Sequence, residues 1–304
     1  LTYAGLQQLV DKYLIKDRKT DVVYETPQFM YMLISMTLFA NKEGSERLKM
    51  VKTFYDLIST HKISLPTPIV AGVRTPTRQY SSCVLIDVDD NLDSIFHSNT
   101  AVGKYISKRA GIGLNFRLRG IGSKIRNGEA VHTGIIPFLK MFEGTVKSCS
   151  QGGIRGGAAT AYYPFWHLEA EDIVVLKNNR GNELNRVRRM DHAIQFSRLF
   201  YKRFVEDKNI SLFSPSDVPG LYEVFGDNEK FDPLYEKYEK DDTIPRREVS
   251  ARNLLDKLIQ ERIETGRIYI MNIDNANDHS AFLDMIRMSN LCTEINLPTT
   301  PIQH

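Results

Sequence analysis

The feature that most constrains this chain is an alternation that begins after Ser64-Leu65-Pro66-Thr67-Pro68. Short apolar runs are separated there by stretches with helical spacing. Neither proline can continue a helix, so the pentapeptide ends what precedes it. Beyond it, Cys83-Val84-Leu85-Ile86, Ile112-Gly113-Leu114-Asn115-Phe116, Ile173-Val174-Val175-Leu176, Ser211-Leu212-Phe213 and Ile268-Tyr269-Ile270-Met271 read as buried strands. Helical patterns fall between them, as from Asn253 to Glu264 before Thr265-Gly266. Strands alternating with helices specify a parallel α/β architecture. Ahead of the break, apolar residues recur at three- and four-residue intervals: Leu6, Leu9, Val10 and Tyr13, then Phe29, Met32, Leu33 and Met36, then Leu48, Val51, Phe54, Tyr55 and Ile58. The expectation is a helical region over residues 1–75 and an α/β domain over 76–304.

Composition excludes several classes. With 42% hydrophobic and 25% charged residues, the chain is neither a disordered tail nor a fibre. Forty Lys and Arg against 37 Asp and Glu leave +3, which by charge alone gives no nucleic-acid footprint. No apolar run approaches the roughly 18 residues a membrane-spanning helix needs. Cys83, Cys149 and Cys292 form no CxxC pair, and an odd, sparse set suits a reducing, cytoplasmic compartment. The amphipathic first ten residues are no secretory leader, and Leu1 is not a start methionine, which leaves room for native residues upstream. The seven histidines are scattered without HExxH, so no bound metal is expected.

Chemistry concentrates in Ser289-Asn290-Leu291-Cys292-Thr293-Glu294-Ile295-Asn296-Leu297-Pro298. If this stretch is extended, Asn290, Cys292 and Glu294 share one face. A neighbouring carboxylate raises a thiol's pKa, which opposes thiolate nucleophilicity but suits radical chemistry at sulfur. A structural cysteine on an ordinary strand fits the same spacing. Cys83 reads either as a core residue or as a thiol at a strand end facing a polar cavity. Arg109-Ala110-Gly111-Ile112-Gly113 and Ser150-Gln151-Gly152-Gly153-Ile154-Arg155-Gly156-Gly157 expose backbone N–H groups that suit phosphate. Neither is a Walker or Rossmann fingerprint, and close backbone packing explains them equally. Asp87, Asp89, Asp90 and Asp93, followed by Arg117, Arg119 and Arg126, suit a nucleotide site or a solvated turn beside a basic helix end. Arg186-Val187-Arg188-Arg189 reads as a solvated helix face.

Taken in order, several strings resemble the large (α) subunit of class I ribonucleoside-diphosphate reductase. They are Arg78-Gln79-Tyr80-Ser81-Ser82-Cys83-Val84-Leu85-Ile86, Lys147-Ser148-Cys149-Ser150-Gln151-Gly152-Gly153, Asn178-Asn179-Arg180-Gly181, Ser214-Pro215-Ser216-Asp217-Val218-Pro219-Gly220-Leu221-Tyr222, Thr265-Gly266-Arg267-Ile268-Tyr269 and Ser289-Asn290-Leu291-Cys292-Thr293-Glu294-Ile295. The resemblance spans essentially the whole chain. It implies the first half, about five parallel strands, of a ten-stranded α/β barrel with a finger loop, preceded by a helical region.

By that resemblance Cys292 is the radical cysteine, Glu294 the carboxylate that takes the 3′-hydroxyl proton, Asn290 the amide on the sugar hydroxyls, and Cys83 one of two reducing thiols. Thr67, Ser82 and Gly111 match substrate-lining positions, and Cys149 has no catalytic match. Asp90, Asn91 and Leu92, with Arg119 and Arg126, match a site for a deoxynucleoside triphosphate or ATP effector. Arg117 is an alternative to Arg119. The implied partners are a ribonucleoside diphosphate, a second α subunit giving α₂, a radical-generating diiron-tyrosyl β subunit, and thioredoxin or glutaredoxin as reductant.

The chain stops at His304, just past the finger loop. The resemblance places the second reducing cysteine, the radical-delivering tyrosines, the main substrate-phosphate loop and a C-terminal thiol pair beyond it. The chain is therefore expected to need a second polypeptide or the missing half for activity. The alternative is a non-catalytic fragment that binds effector nucleotide.

Overall fold

The computed structural model describes residues 2–151 and 155–301. The chain divides into two compact units, one of residues 1–82 with 108–110, the other of 83–107 with 111–304.

The first unit is helical. Helix α1 (Tyr3–Lys12) starts where Thr2 Oγ1 accepts from Gly5 N at 3.2 Å. Helix α2 (Pro27–Leu38) starts at Thr26, with proline at its first position where no N–H is needed. Helices α3 (Gly44–Ser59) and α4 (Thr67–Gly72) follow. Met30, Ile34, Leu14 and Val73 form the core of this unit. Beside them Arg74 and Glu25 form a paired fork, with Nε to Oε1 and Nη2 to Oε2 both 2.6 Å, at side chains only 3% and 5% exposed. Thr67 belongs here, its hydroxyl 3.1 Å from the Tyr13 hydroxyl.

The second unit is built on one parallel sheet of five strands: β1 (Cys83–Val88), β2 (Gly111–Phe116), β3 (Ala159–Pro164), β4 (Asp191–Phe196) and β5 (Ile268–Asn272). They lie side by side in chain order. Helix α5 (Leu92–Ser107) connects β1 to β2, and α6 (Ile136–Ser148) leads towards β3. Every residue of β2, β3 and β4 is buried, as expected of a sheet covered on both faces.

The period of two sorts the side chains. One face of the sheet packs on helices, as Phe116 does on Phe142 of α6 with rings 5.1 Å apart. The other carries Cys83 and Asp87 on β1, Gly111, Gly113 and Asn115 on β2, and Thr160 and Tyr162 on β3. That inner face is small and polar, and an antiparallel hairpin lies against it. Its strands are β6 (Ile286–Ser289) and β7 (Asn296–Pro298), paired through Ser289 with Asn296. The architecture is the half barrel with a finger loop that the resemblance implies.

Four sequence readings are corrected. Ile173-Val174-Val175-Leu176 is not a strand: it finishes a short helix, Ala170–Val174, and the turn after it. An apolar run buried on all sides carries no period to separate the two. Ser211-Leu212-Phe213 does extend a strand, Asn209–Leu212, but this pairs with Arg247–Ser250 outside the main sheet. Arg186 to Arg189 is irregular chain, not a helix face. Val187 is buried there, and Arg186 and Arg188 are held by Asn178 at 2.9 Å each. Residues 290–295 are a hairpin turn, not an extended strand, with Thr293 at φ +70.

Among the described residues no helix is long and apolar enough to cross a membrane. No group of three or more His, Cys, Asp or Glu side chains among them comes together as metal ligands do.

Candidate functional site

The tip of the hairpin is shaped by one side chain. Asn290 is fully buried, and its Oδ1 accepts from Glu294 N and Ile295 N, both at 3.0 Å. This amide replaces a ladder partner and turns the chain, as Asn does in tight turns. Its Nδ2 donates to Cys83 Sγ at 3.1 Å. Glu294 Oε1 lies 3.9 Å from the same sulfur. Cys83, Asn290 and Glu294 therefore converge, although the extended face that suggested a shared side does not exist. Asn290 points inward while Cys292 and Glu294 are exposed at the turn.

The sheet holds this turn by its backbone. Thr160 Oγ1 donates to Leu291 O at 2.7 Å, and Tyr162 Oη donates to Asn290 O at 2.6 Å. Gln195 on β4 donates to Arg287 O, at the base of the finger. Burial pushes the Tyr162 hydroxyl up to about 12, so it stays a donor. Tyr269 on β5 is raised too, by burial first and then by the charge of Asp191. None of Thr160, Tyr162 and Gln195 was singled out in the sequence. The available signal was a polar residue at every second place in an otherwise buried stretch.

The Gly111-Ile112-Gly113 pair serves close packing. A Cβ on Gly113 would sit 2.1 Å from Ser289 O, and one on Gly111 2.6 Å from the Leu291 side chain. The second glycine-rich stretch is described only in part. Residues 152–154 lie outside the described residues, while a Cβ on Gly157 would meet Val146 O at 2.3 Å. Ser82 falls with Thr67 in the first unit, so of the expected substrate-lining residues Gly111 alone joins the finger within one unit.

At the other end of β1, roughly 16 Å from Cys83 at about 3.3 Å per residue, lies the acidic loop. Asp90 accepts from Arg119 Nε at 2.6 Å and from Arg119 N at 3.1 Å. Asn91 Oδ1 accepts from Ser94 N at 2.8 Å, capping the start of α5, and Leu92 is exposed. Arg126, exposed, sits at φ +52 in the turn between two short paired strands, Lys124–Ile125 and Ala130–Val131.

Arg117 is committed elsewhere. It forks onto Asp87, whose side chain is fully buried, and lies 5.2 Å over the Tyr222 ring. Tyr222 Oη donates to Asn115 Oδ1 at 2.7 Å, and Asn115 Nδ2 donates to Asp87 at 2.8 Å. Burial pulls the guanidinium down, but Asp87's hydrogen bonds and charge outweigh it and the net direction is up. Asp87→Asn would leave a buried cation without its counter-charge. The expected cost is about 3 kcal/mol, read as a shift in denaturant midpoint, and an unshifted midpoint would contradict this account.

Residues 81–304 match the ribonucleotide reductase barrel domain, and residues 1–78 match the ribonucleotide reductase all-alpha domain. The chain belongs to the ribonucleotide reductase large-subunit family. Curated relatives include the ribonucleoside-diphosphate reductase α subunits of Haemophilus influenzae, 58% identical over all of this chain, and of Enterobacteria phage T4, 52% identical over 99% of it. The α subunit of reductase 1 from Escherichia coli is 57% identical over 99% of the chain. The chain spans about 40% of the length of these relatives.

Proposed function

We propose that this chain carries the radical side of a ribonucleoside-diphosphate reductase active site, within an assembly that supplies the rest of the length its relatives have. The observation that carries the reading is the Asn290 amide. It links Cys83, 207 residues earlier, to the turn that bears Cys292 and Glu294. A pure nucleotide-binding fragment gains nothing from a thiol, a buried amide and a carboxylate brought to one place.

In this reading a β subunit's radical is delivered to Cys292. The thiyl takes the hydrogen atom from C3′ of the ribose, leaving a thiol and a carbon radical. Glu294 accepts the 3′-hydroxyl proton, and the 2′-hydroxyl leaves as water. Cys83 and a second cysteine thiol together give up two electrons and two protons and become a disulfide, so each ribonucleotide yields one deoxyribonucleotide and one water. Cys292 then returns its hydrogen to C3′ as Glu294 returns its proton to the 3′ oxygen, and thioredoxin or glutaredoxin reduces the disulfide. Asn290 orients the sugar hydroxyls, with Thr67, Ser82 and Gly111 lining the substrate. The Asp90-Asn91-Leu92 loop with Arg119 and Arg126 receives a deoxynucleoside triphosphate or ATP effector at an α₂ contact. Asp90 suits a ribose hydroxyl and the arginines suit phosphate.

Cys83→Ser in the reconstituted enzyme is the test. Formation of deoxyribonucleotide is expected to stop, while loss of label from 3′-deuterated substrate continues, because abstraction does not need the reducing thiol. Sustained multiple turnover by this variant would remove Cys83 from the reduction.

A further inference from the structure

Three consecutive residues after β3 grip one segment of chain. His167 Nε2 lies 3.0 Å from Leu118 O, and its Nδ1 accepts from Glu169 N at 3.1 Å. These partners fix a neutral ring with the proton on Nε2, and burial pushes its pKa down to about 4. Leu168 packs on Gly120, where a Cβ would sit 2.9 Å from the leucine side chain. Glu169 Oε2 accepts from Ile121 N at 3.0 Å and Ile135 N at 3.1 Å. Gly134, at φ +96, clears the second oxygen, which a Cβ would approach to 2.5 Å.

Glu169 is 4% exposed, and burial pushes its carboxyl up to about 7 against the pull of both N–H groups. One carboxylate oxygen thus closes the two ends of residues 121–135. Arg126 lies between those ends, and Arg119 immediately precedes the gripped Gly120.

The geometry points to His167-Leu168-Glu169 as a clamp that holds Arg119 and Arg126 in the arrangement that receives effector phosphates, with Glu169 the positioning residue. This rests on the effector-site reading above. Glu169 donates nothing to the nucleotide itself. Its task is to hold two backbone N–H groups on one acceptor. That task separates two variants of similar size. The amide oxygen of Glu169→Gln can take the place of Oε2 and keep both bonds, whereas Glu169→Leu fills the space with no acceptor.

The test measures dTTP affinity and amide hydrogen exchange in the active reductase assembly. Glu169→Gln is expected to bind within about twofold of wild type, and Glu169→Leu about tenfold more weakly, the scale of a lost hydrogen bond to a charged group. Exchange at Ile121 and Ile135 should quicken in Glu169→Leu alone. Wild-type dTTP affinity in Glu169→Leu, or equal losses in both variants, would overturn the clamp. Unchanged exchange at both amides would overturn it as well, whatever the nucleotide does. Failure of the wild-type protein to bind dTTP, with exchange behaving as stated, would overturn the effector-site reading instead.

Discussion

Cys292→Ser is expected to abolish deoxyribonucleotide formation in the assembled reductase, by at least about 10⁴-fold, while leaving effector binding untouched. The change replaces one sulfur at an exposed turn whose shape is set by Asn290 and which is held through backbone oxygens by Thr160 and Tyr162. What disappears, in the mechanism proposed above, is the weak S–H bond that lets the thiyl form and later return its hydrogen. An alcohol O–H bond is stronger than the ribose C–H bond, so an oxygen radical, once made, could not be regenerated from the product. A loss of about 10⁴-fold corresponds to a barrier raised by about 5.5 kcal/mol. The measurements are turnover of a ribonucleoside diphosphate and equilibrium binding of dTTP on the same preparation. Turnover above that floor would refute the assignment of the radical to Cys292. Joint loss of turnover and dTTP binding would show instead that the substitution unfolds the protein.

Gly113→Ala is expected to damage both stability and activity from a position that holds no chemistry. The added carbon would sit 2.1 Å from Ser289 O and 2.9 Å from Asn290 Cα, both backbone atoms that no rotamer change can move aside. The finger must therefore lift from β2 by about an ångström. That shift stretches the Tyr162, Thr160 and Cys83 contacts to the turn together. Overpacking of this kind costs about 3 kcal/mol. A misplacement of about 1 Å in the reacting groups lowers turnover about 100-fold. Gly144, inside α6 with nothing within 4 Å of its added Cβ, is the matched control. Gly144→Ala should raise stability by roughly 0.5–1 kcal/mol, as alanine does in a helix interior. Denaturant midpoints and turnover for the pair decide the matter, and a Gly113→Ala protein equal to wild type in both would contradict the packing described.

The first, second and fifth strands were legible because aliphatic residues mark them. β3 and β4 were not, because their inner face carries Thr160, Tyr162 and Gln195, side chains that hydrogen-bond the finger. A strand that must hold another segment by polar contacts loses the apolar signature used to find strands. The residue types of the site were legible, but their arrangement was not. Asn290 offers its amide to two backbone N–H groups, and that local bond overrides the extension assumed for Ser289 to Pro298. Arg117 and Arg119 could not be separated by sequence either. Two residues apart, they go to different carboxylates, Asp87 in the interior and Asp90 on the loop.

The glycine row on β2 also sets an order of events during synthesis. Gly111 and Gly113 leave the inner face of the sheet empty until the finger fills it, and the finger is made after all five strands of the sheet. Asn290 leaves the ribosome 207 residues after Cys83, about 10–40 s at 5–20 residues per second. Through that interval β1 and β2 can pair, but the Cys83 thiol has neither its amide donor nor its cover. An accessible thiol at the end of an unfinished sheet is open to mixed disulfides with other thiols. A reducing medium is thus a condition for making the protein.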